Sequence, residues 1–141
     1  LAFHKNSYVG RTFIKPTQKE RQSAVHLKLS VLSSVVKGKR LVLIDDSIVR
    51  GTTMASLIRM LKDAGATEVH VRISSPPFLF PCYYGTDVPS NDQLIASSHT
   101  AAEICASIGA DSLGYMKLED LKQMTGDLPL CKACFDSHYP V

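Results

Sequence analysis

The most constraining stretch of this chain is Leu41-Val42-Leu43-Ile44-Asp45-Asp46-Ser47-Ile48-Val49-Arg50-Gly51-Thr52-Thr53. It opens on consecutive β-prone apolar residues, closes them with two adjacent acids, and passes through a short loop to Gly51. An unbroken apolar run of this kind suits a strand buried on both faces of a parallel sheet. From Thr52 onward, Leu57, Ile58, Leu61 and Ala64 recur at helical spacing, and Gly65 supplies a C-terminal stop. Val69, Val71 and Ile73 then alternate with polar residues, as a second strand does. Strand, helix and strand at these lengths form a βαβ unit, right-handed by default. The expected class is therefore α/β, a mainly parallel sheet flanked by helices.

The flanking sequence is consistent with that frame. Val25, Leu27, Leu29 and Val31 alternate with His26, Lys28 and Ser30, which predicts a half-buried strand. Residues 8–21 contain Gly10 and Pro16 and read as a loop running into a short helix over 17–21. Lys37-Gly38-Lys39 is a turn. Pro76, Pro77 and Pro81 impose an irregular loop. Helix is predicted over 100–108 with Gly109 ending it, a short strand over 111–115, and a last helix over 117–124. Beyond Asp127-Leu128-Pro129 lies a tail bearing Cys131 and Cys134.

A chain of 141 residues, 45% of them hydrophobic, suits one domain with a sizeable core. The net charge of +3 is compatible with a polyanionic substrate but too mild to argue for nucleic acid or a membrane surface. No apolar run approaches the roughly 18 residues of a transmembrane helix. The opening Leu1-Ala2-Phe3-His4-Lys5-Asn6 does not read as a signal peptide. It lacks an initiating Met and reads as part of a longer, cytoplasmic protein.

Asp45 and Asp46 stand at the carboxyl end of the predicted buried strand, where open α/β sheets bind ligands. Gly51-Thr52-Thr53 opens a helix, and a helix N-terminus offers N–H groups and a positive dipole end to a phosphate. Ser47, Thr52 and Thr53 add hydroxyls, and Gly51 lets the backbone approach closely. An acid pair for a diol or metal thus adjoins a phosphate cradle, as a ribose 5-phosphate requires. The plainer alternative is a charged loop capped by Thr52. Against it, adjacent like charges are unfavourable without a cation or hydroxyl donors. The spacing of a Walker loop is absent. Cys131-Lys132-Ala133-Cys134 is a C-x-x-C pair, open to a redox, zinc or iron–sulfur reading. The five His are scattered, without metal-ligand spacing.

The stretch from Leu41 to Thr53 resembles the signature of type I phosphoribosyltransferases. The wider sequence resembles the amidophosphoribosyltransferase family: Tyr8-Val9-Gly10-Arg11-Thr12-Phe13-Ile14, Lys28-Leu29-Ser30 and Tyr84-Gly85-Thr86-Asp87-Val88-Pro89-Ser90 all fit it. The resemblance implies a type I phosphoribosyltransferase fold, truncated at its N-terminus, over residues 1–115. A C-terminal helix and Cys-bearing tail would follow over 116–141, with the family's glutaminase domain absent. It implies transfer of glutamine-derived ammonia to phosphoribosyl pyrophosphate (PRPP), giving phosphoribosylamine at the committed step of purine synthesis. Asp45 and Asp46 would hold the ribose hydroxyls and Mg²⁺. Ser47, Ile48, Val49, Arg50, Gly51, Thr52 and Thr53 would wrap the 5′-phosphate. For Arg50 two readings stand: contact with phosphate, or an outward role in stabilising the loop. Residues 8–21 would close over the pyrophosphate, with Tyr8 and Arg11 as catalytic residues and Lys5 a lesser candidate.

One branch of the family carries a 4Fe–4S cluster. The resemblance assigns Cys82, in its Phe80-Pro81-Cys82-Tyr83-Tyr84 context, and Cys131 and Cys134 as ligands, with the fourth ligand upstream of Leu1. Cys105, on the apolar side of its helix, reads as core. Implied partners are PRPP, an N-terminal glutaminase domain and further copies in a homo-oligomer. Purine nucleotides are implied as inhibitors. Two rival readings belong to other classes. A PRPP-sensing regulator on the same fold fits poorly with the intact 8–21 loop and the Cys pattern. An iron–sulfur electron carrier leaves Asp45 to Thr53 unexplained.

Overall fold

The computed structural model of the chain describes residues 2–5, 29–86, 88, 90–126 and 128–140. The loop over 8–21, with Tyr8 and Arg11, its short helix, and the start of the strand expected from Val25 lie outside the described residues.

Two N-terminal strands, β1 (Phe3–Lys5) and β2 (Leu29–Val31), pair antiparallel as a two-stranded sheet of their own. A one-turn helix, α1 (Ser33–Val36), follows, and the sequence carried no periodic signal for so short an element. The turn after it reverses the chain at Gly38, whose φ of +72° suits glycine. Then come β3 (Arg40–Asp45), α2 (Thr52–Asp63) and β4 (Glu68–Ile73). After the Pro-rich loop lie α3 (Ala101–Ile108), β5 (Ser112–Tyr115), α4 (Leu118–Thr125) and the short α5 (Ala133–Asp136). Strands β3, β4 and β5 form a parallel sheet in that order, with β3 and β4 in register from Arg40–Glu68 to Asp45–Ile73. The expected βαβ unit is thus present.

The core forms on one face of this sheet. Val69, Val71 and Ile73 of β4 alternate inward and are at most 3% exposed. Helix α2 meets them with Met54, Ile58 and Leu61, and α3 adds Ile104 and Ile108. Ile58 and Leu61 are each 1% exposed, and burial on this scale contributes about 1.5–3 kcal/mol per side chain. Helix α3 begins on a capping box, Thr100 with Glu103, and stops at Gly109 in the left-handed region.

The expectation that β3 is buried on both faces is corrected. Leu41 and Leu43 pack on the core, but Val42 is 63% and Ile44 72% exposed. The physical reason is layering. Among the described residues, β3 is an edge strand, and the core helices α2 and α3 lie on the opposite face. The register carries the open face on through His70 and Arg72 to Ser112 and Gly114. It is polar there: His70 bridges Ser112 and Glu68, and Glu68 pairs with Arg40 at 2.7 Å.

Candidate functional site

Strand β3 delivers Asp45 to the carboxyl edge of the sheet, beside Ile73 and, one strand further, Tyr115. The backbone there is held by the Ser74 N–H, which donates to the Asp45 carbonyl at 3.0 Å. The Asp45 carboxylate accepts from the Asp46 N–H at 3.0 Å, and the Ser47 hydroxyl donates to Asp46 at 2.7 Å. Asp45 is half-buried and Asp46 exposed. Burial pushes the Asp45 pKa up; the Asp46 N–H opposes this, and the charge on Asp46 adds to it. Among the described residues neither acid forms a salt bridge.

The loop after the acids is anchored from both sides. Ile48 is 3% exposed and sits in the core, so it can offer only backbone to a ligand. The Val49 carbonyl accepts from the Ile95 N–H at 2.9 Å. Arg50 donates from its guanidinium to the Gln93 side chain, a contact of the kind its loop-stabilising reading requires. Gly51, not Thr52, is the N-cap of α2, with φ of +77° and no side-chain cap. A Cβ on Gly51 would lie 3.2 Å from Ile95 Cδ1 and 3.4 Å from Ile108 Cγ2. The first N–H groups of a helix have no acceptor within it, and a cap without a side chain leaves them accessible to an anion. Among the described residues, two carboxylates without a salt bridge therefore adjoin a helix start without a side-chain cap.

Three of the four cysteines lie in the Pro-rich loop and the tail. In the Pro-rich loop, the Cys82 N–H donates to Val88 at 3.0 Å. The Cys82 thiol is pulled down to about 7, chiefly by the Tyr84 N–H with help from Gly85 and Thr86, although burial opposes this. Burial pushes the Cys134 thiol up, and charge on Cys82 and on Cys131 raises it further. Cys82 and Cys131 thus both act on Cys134. Cys105 is not in that set: its Sγ donates to the Ala110 carbonyl at 3.3 Å. It is half-buried rather than core, because Ile104 and Ile108 take the inward positions of α3 and the next residue is turned by about 100°.

The tail is docked on the Pro-rich loop. The N–H groups of Leu79 and Phe80 donate to the Cys134 carbonyl at 2.9 and 3.1 Å. The Tyr139 hydroxyl donates to Pro81 at 2.7 Å, and Tyr84 to Pro140 at 2.6 Å. The Phe78 and Phe135 rings pack 5.1 Å apart. A cavity of about 560 Å³ opens beside Leu130, Cys131 and Tyr139. Among the described residues, no three His, Cys, Asp or Glu side chains stand close enough to share one metal ion.

Sequence reasoning missed Gln93 and Ile95. They lie in short 3₁₀ turns, Asn91–Gln93 and Ile95–Ser97, and reach the loop only through tertiary folding. No local pattern marks such a contact.

The Phosphoribosyl transferase domain family matches residues 5–74 of this chain. An amidophosphoribosyltransferase of Synechocystis sp. is 52% identical over 139 residues, covering 97% of this chain and 28% of the relative. One from Methanocaldococcus jannaschii is 54% identical over 136 residues, covering 96% and 29%. The solved glutamine phosphoribosylpyrophosphate amidotransferase from B. subtilis, complexed with ADP and GMP, superposes with a TM-score of 0.82 at 51% identity. That match covers 99% of this chain and 32% of the other. The chain thus spans less than a third of the length of these relatives.

Proposed function

We propose that the chain belongs to the amidophosphoribosyltransferase family and carries the PRPP-binding part of an enzyme that makes 5-phosphoribosylamine. One observation carries the reading. An acid pair without a salt bridge among the described residues stands at the carboxyl edge of a parallel sheet, directly before a helix start without a side-chain cap.

In this reading the N–H groups and hydroxyls from Ser47 to Thr53 hold the 5′-phosphate, and Asp45 and Asp46 hold the ribose hydroxyls. The adjacent carboxylates also fit a hard divalent cation, which prefers oxygen donors. Bound Mg²⁺ would neutralise and orient the leaving pyrophosphate. The C1–O bond to pyrophosphate breaks as ammonia attacks C1, so positive charge develops on the sugar. Asp45 supplies negative charge and a fixed ribose geometry where that charge grows. Tyr8 and Arg11 are proposed to close on the pyrophosphate and exclude water. The glutaminase domain that would release ammonia, and assembly with further copies, are also proposals, as is a cytoplasmic location. No described helix is long and apolar enough to cross a membrane.

The thiol set supports a second part of the reading. Cys82, Cys131 and Cys134 would supply three of the four thiolates of a 4Fe–4S cluster. The N–H groups around Cys82 stabilise a thiolate, as ligation requires. The cluster's role here would be structural, joining the tail to the Pro-rich loop.

The test is calorimetric titration of the full-length protein with PRPP, with and without Mg²⁺. Mg²⁺-dependent binding that disappears in Asp45→Asn is expected; unchanged binding in that variant would sink the assignment.

A further inference from the structure

The loop that ends on Gly51 is held in place by a segment that no motif of the family resemblance includes. Residues 91–97 touch it at three consecutive positions. The Ile95 N–H donates to the Val49 carbonyl at 2.9 Å. The Gln93 side chain accepts from the Arg50 guanidinium across 43 residues of sequence. Ile95 Cδ1 lies 3.2 Å from where a Gly51 Cβ would stand. The first two are hydrogen bonds that tie the loop to the segment, and the third shows how closely Ile95 packs where a side chain on Gly51 would stand.

We propose that Gln93 is a positioning residue for PRPP. By holding Arg50 in a partly buried hydrogen bond, it keeps the loop from Ser47 to Thr53 in the shape that receives the 5′-phosphate. This inference rests on the functional reading above. The energetic logic is preorganisation: a phosphate cradle already ordered before binding does not lose loop entropy when the ligand arrives. A hydrogen bond from a charged donor is among the stronger ones a half-buried side chain makes. Arg50 held this way acts as a strut rather than as a phosphate ligand. The Ile95–Val49 bond is backbone to backbone and survives side-chain substitution, so the role of Gln93 can be tested without dismantling the segment.

The experiment uses the full-length enzyme as six proteins: wild type, Gln93→Leu, Gln93→Glu, Arg50→Ala, the Arg50→Ala/Gln93→Leu double variant and Asp45→Asn. Gln93→Leu removes the acceptor at similar volume and is expected to raise the KM for PRPP on the order of tenfold while kcat changes less than about twofold. Gln93→Glu keeps an acceptor for Arg50 and is expected to restore the wild-type KM. In an Arg50→Ala background, Gln93→Leu is expected to add nothing further, because the two side chains act as one strut. An unchanged or lowered KM in Gln93→Leu overturns the proposal, as does full additivity with Arg50→Ala. A loss confined to thermal stability, with KM intact, overturns it as well. If Gln93→Leu does not fold, the Gln93→Glu and Arg50→Ala proteins decide: a wild-type KM in Arg50→Ala removes the strut. Asp45→Asn separates the two layers of inference. If it binds PRPP as wild type does, the site reading itself has failed; if it does not bind while Gln93→Leu keeps its KM, only the strut has failed.

Discussion

Asp45 carries a charge that its surroundings disfavour. Its folded pKa is raised above the ordinary value of 3.8, mainly by burial. A carboxyl raised in this way contributes stability that is complete below its unfolded pKa and is lost as pH rises through the folded one. At neutral pH the ionised Asp45 therefore weakens the ligand-free fold, and a bound cation would relieve it. Asp45→Asn should raise the melting temperature of the ligand-free protein at pH 7 and flatten its fall as pH rises above the ordinary carboxylate range, while abolishing Mg²⁺-dependent PRPP binding. Thermal melts across that pH range check this. An Asp45→Asn protein less stable than wild type at pH 7 would contradict the assignment. Gly51 is the other residue whose chemistry is dictated by its place. With φ of +77° and Ile95 within 3.2 Å of a built Cβ, Gly51→Ala should cost at least about 1–2 kcal/mol, read from the denaturant midpoint.

Helix α3 stabilises more than itself, because Ile104 and Ile108 pack into the core and Ile108 backs Gly51. Its capping box places the Glu103 carboxylate 2.7 Å from the Thr100 N–H. Thr100→Ala should lower stability by about 1 kcal/mol, with an unchanged denaturant slope. The tail and the Pro-rich loop form another pair of coupled elements. If the three thiols hold a cluster, Cys131→Ser should abolish iron incorporation in the full-length protein, and Cys105→Ser should leave it intact. Iron analysis and the visible spectrum distinguish them, and iron lost only from the Cys105 variant would reverse the ligand assignment.

At the scale of the molecule, the sheet is covered on one face and largely open on the other. Among the described residues, Val42 and Ile44 lie on the open face of an edge strand, a combination that favours association. This chain on its own should self-associate with concentration, and Val42→Thr combined with Ile44→Thr should reduce that without lowering the melting temperature. Sedimentation over a concentration series checks both statements. Equal association in the double variant would mean that another surface is responsible.

What could be read from the chain alone was whatever is periodic or contiguous. Leu41 to Ile44 announced a strand, Leu57, Ile58 and Leu61 a helix, and Val69, Val71 and Ile73 the strand beside it, because side-chain burial imposes periods of 2 and 3.6 on neighbouring residues. Asp45, Asp46 and Gly51 were legible for the same reason: a sheet edge and a helix start are adjacent in sequence. Tertiary structure decided the rest. Which face of β3 is covered depends on where α2 and α3 settle, and the residues of β3 do not encode that. That Gly51 rather than Thr52 caps α2 is a feature of the folded loop, whose backbone takes φ of +77° there. The meeting of Arg50 with Gln93, and of Leu79 and Phe80 with Cys134, joins segments far apart along the chain. Such contacts have no signature in local spacing, because chain entropy separates them until the core brings them together.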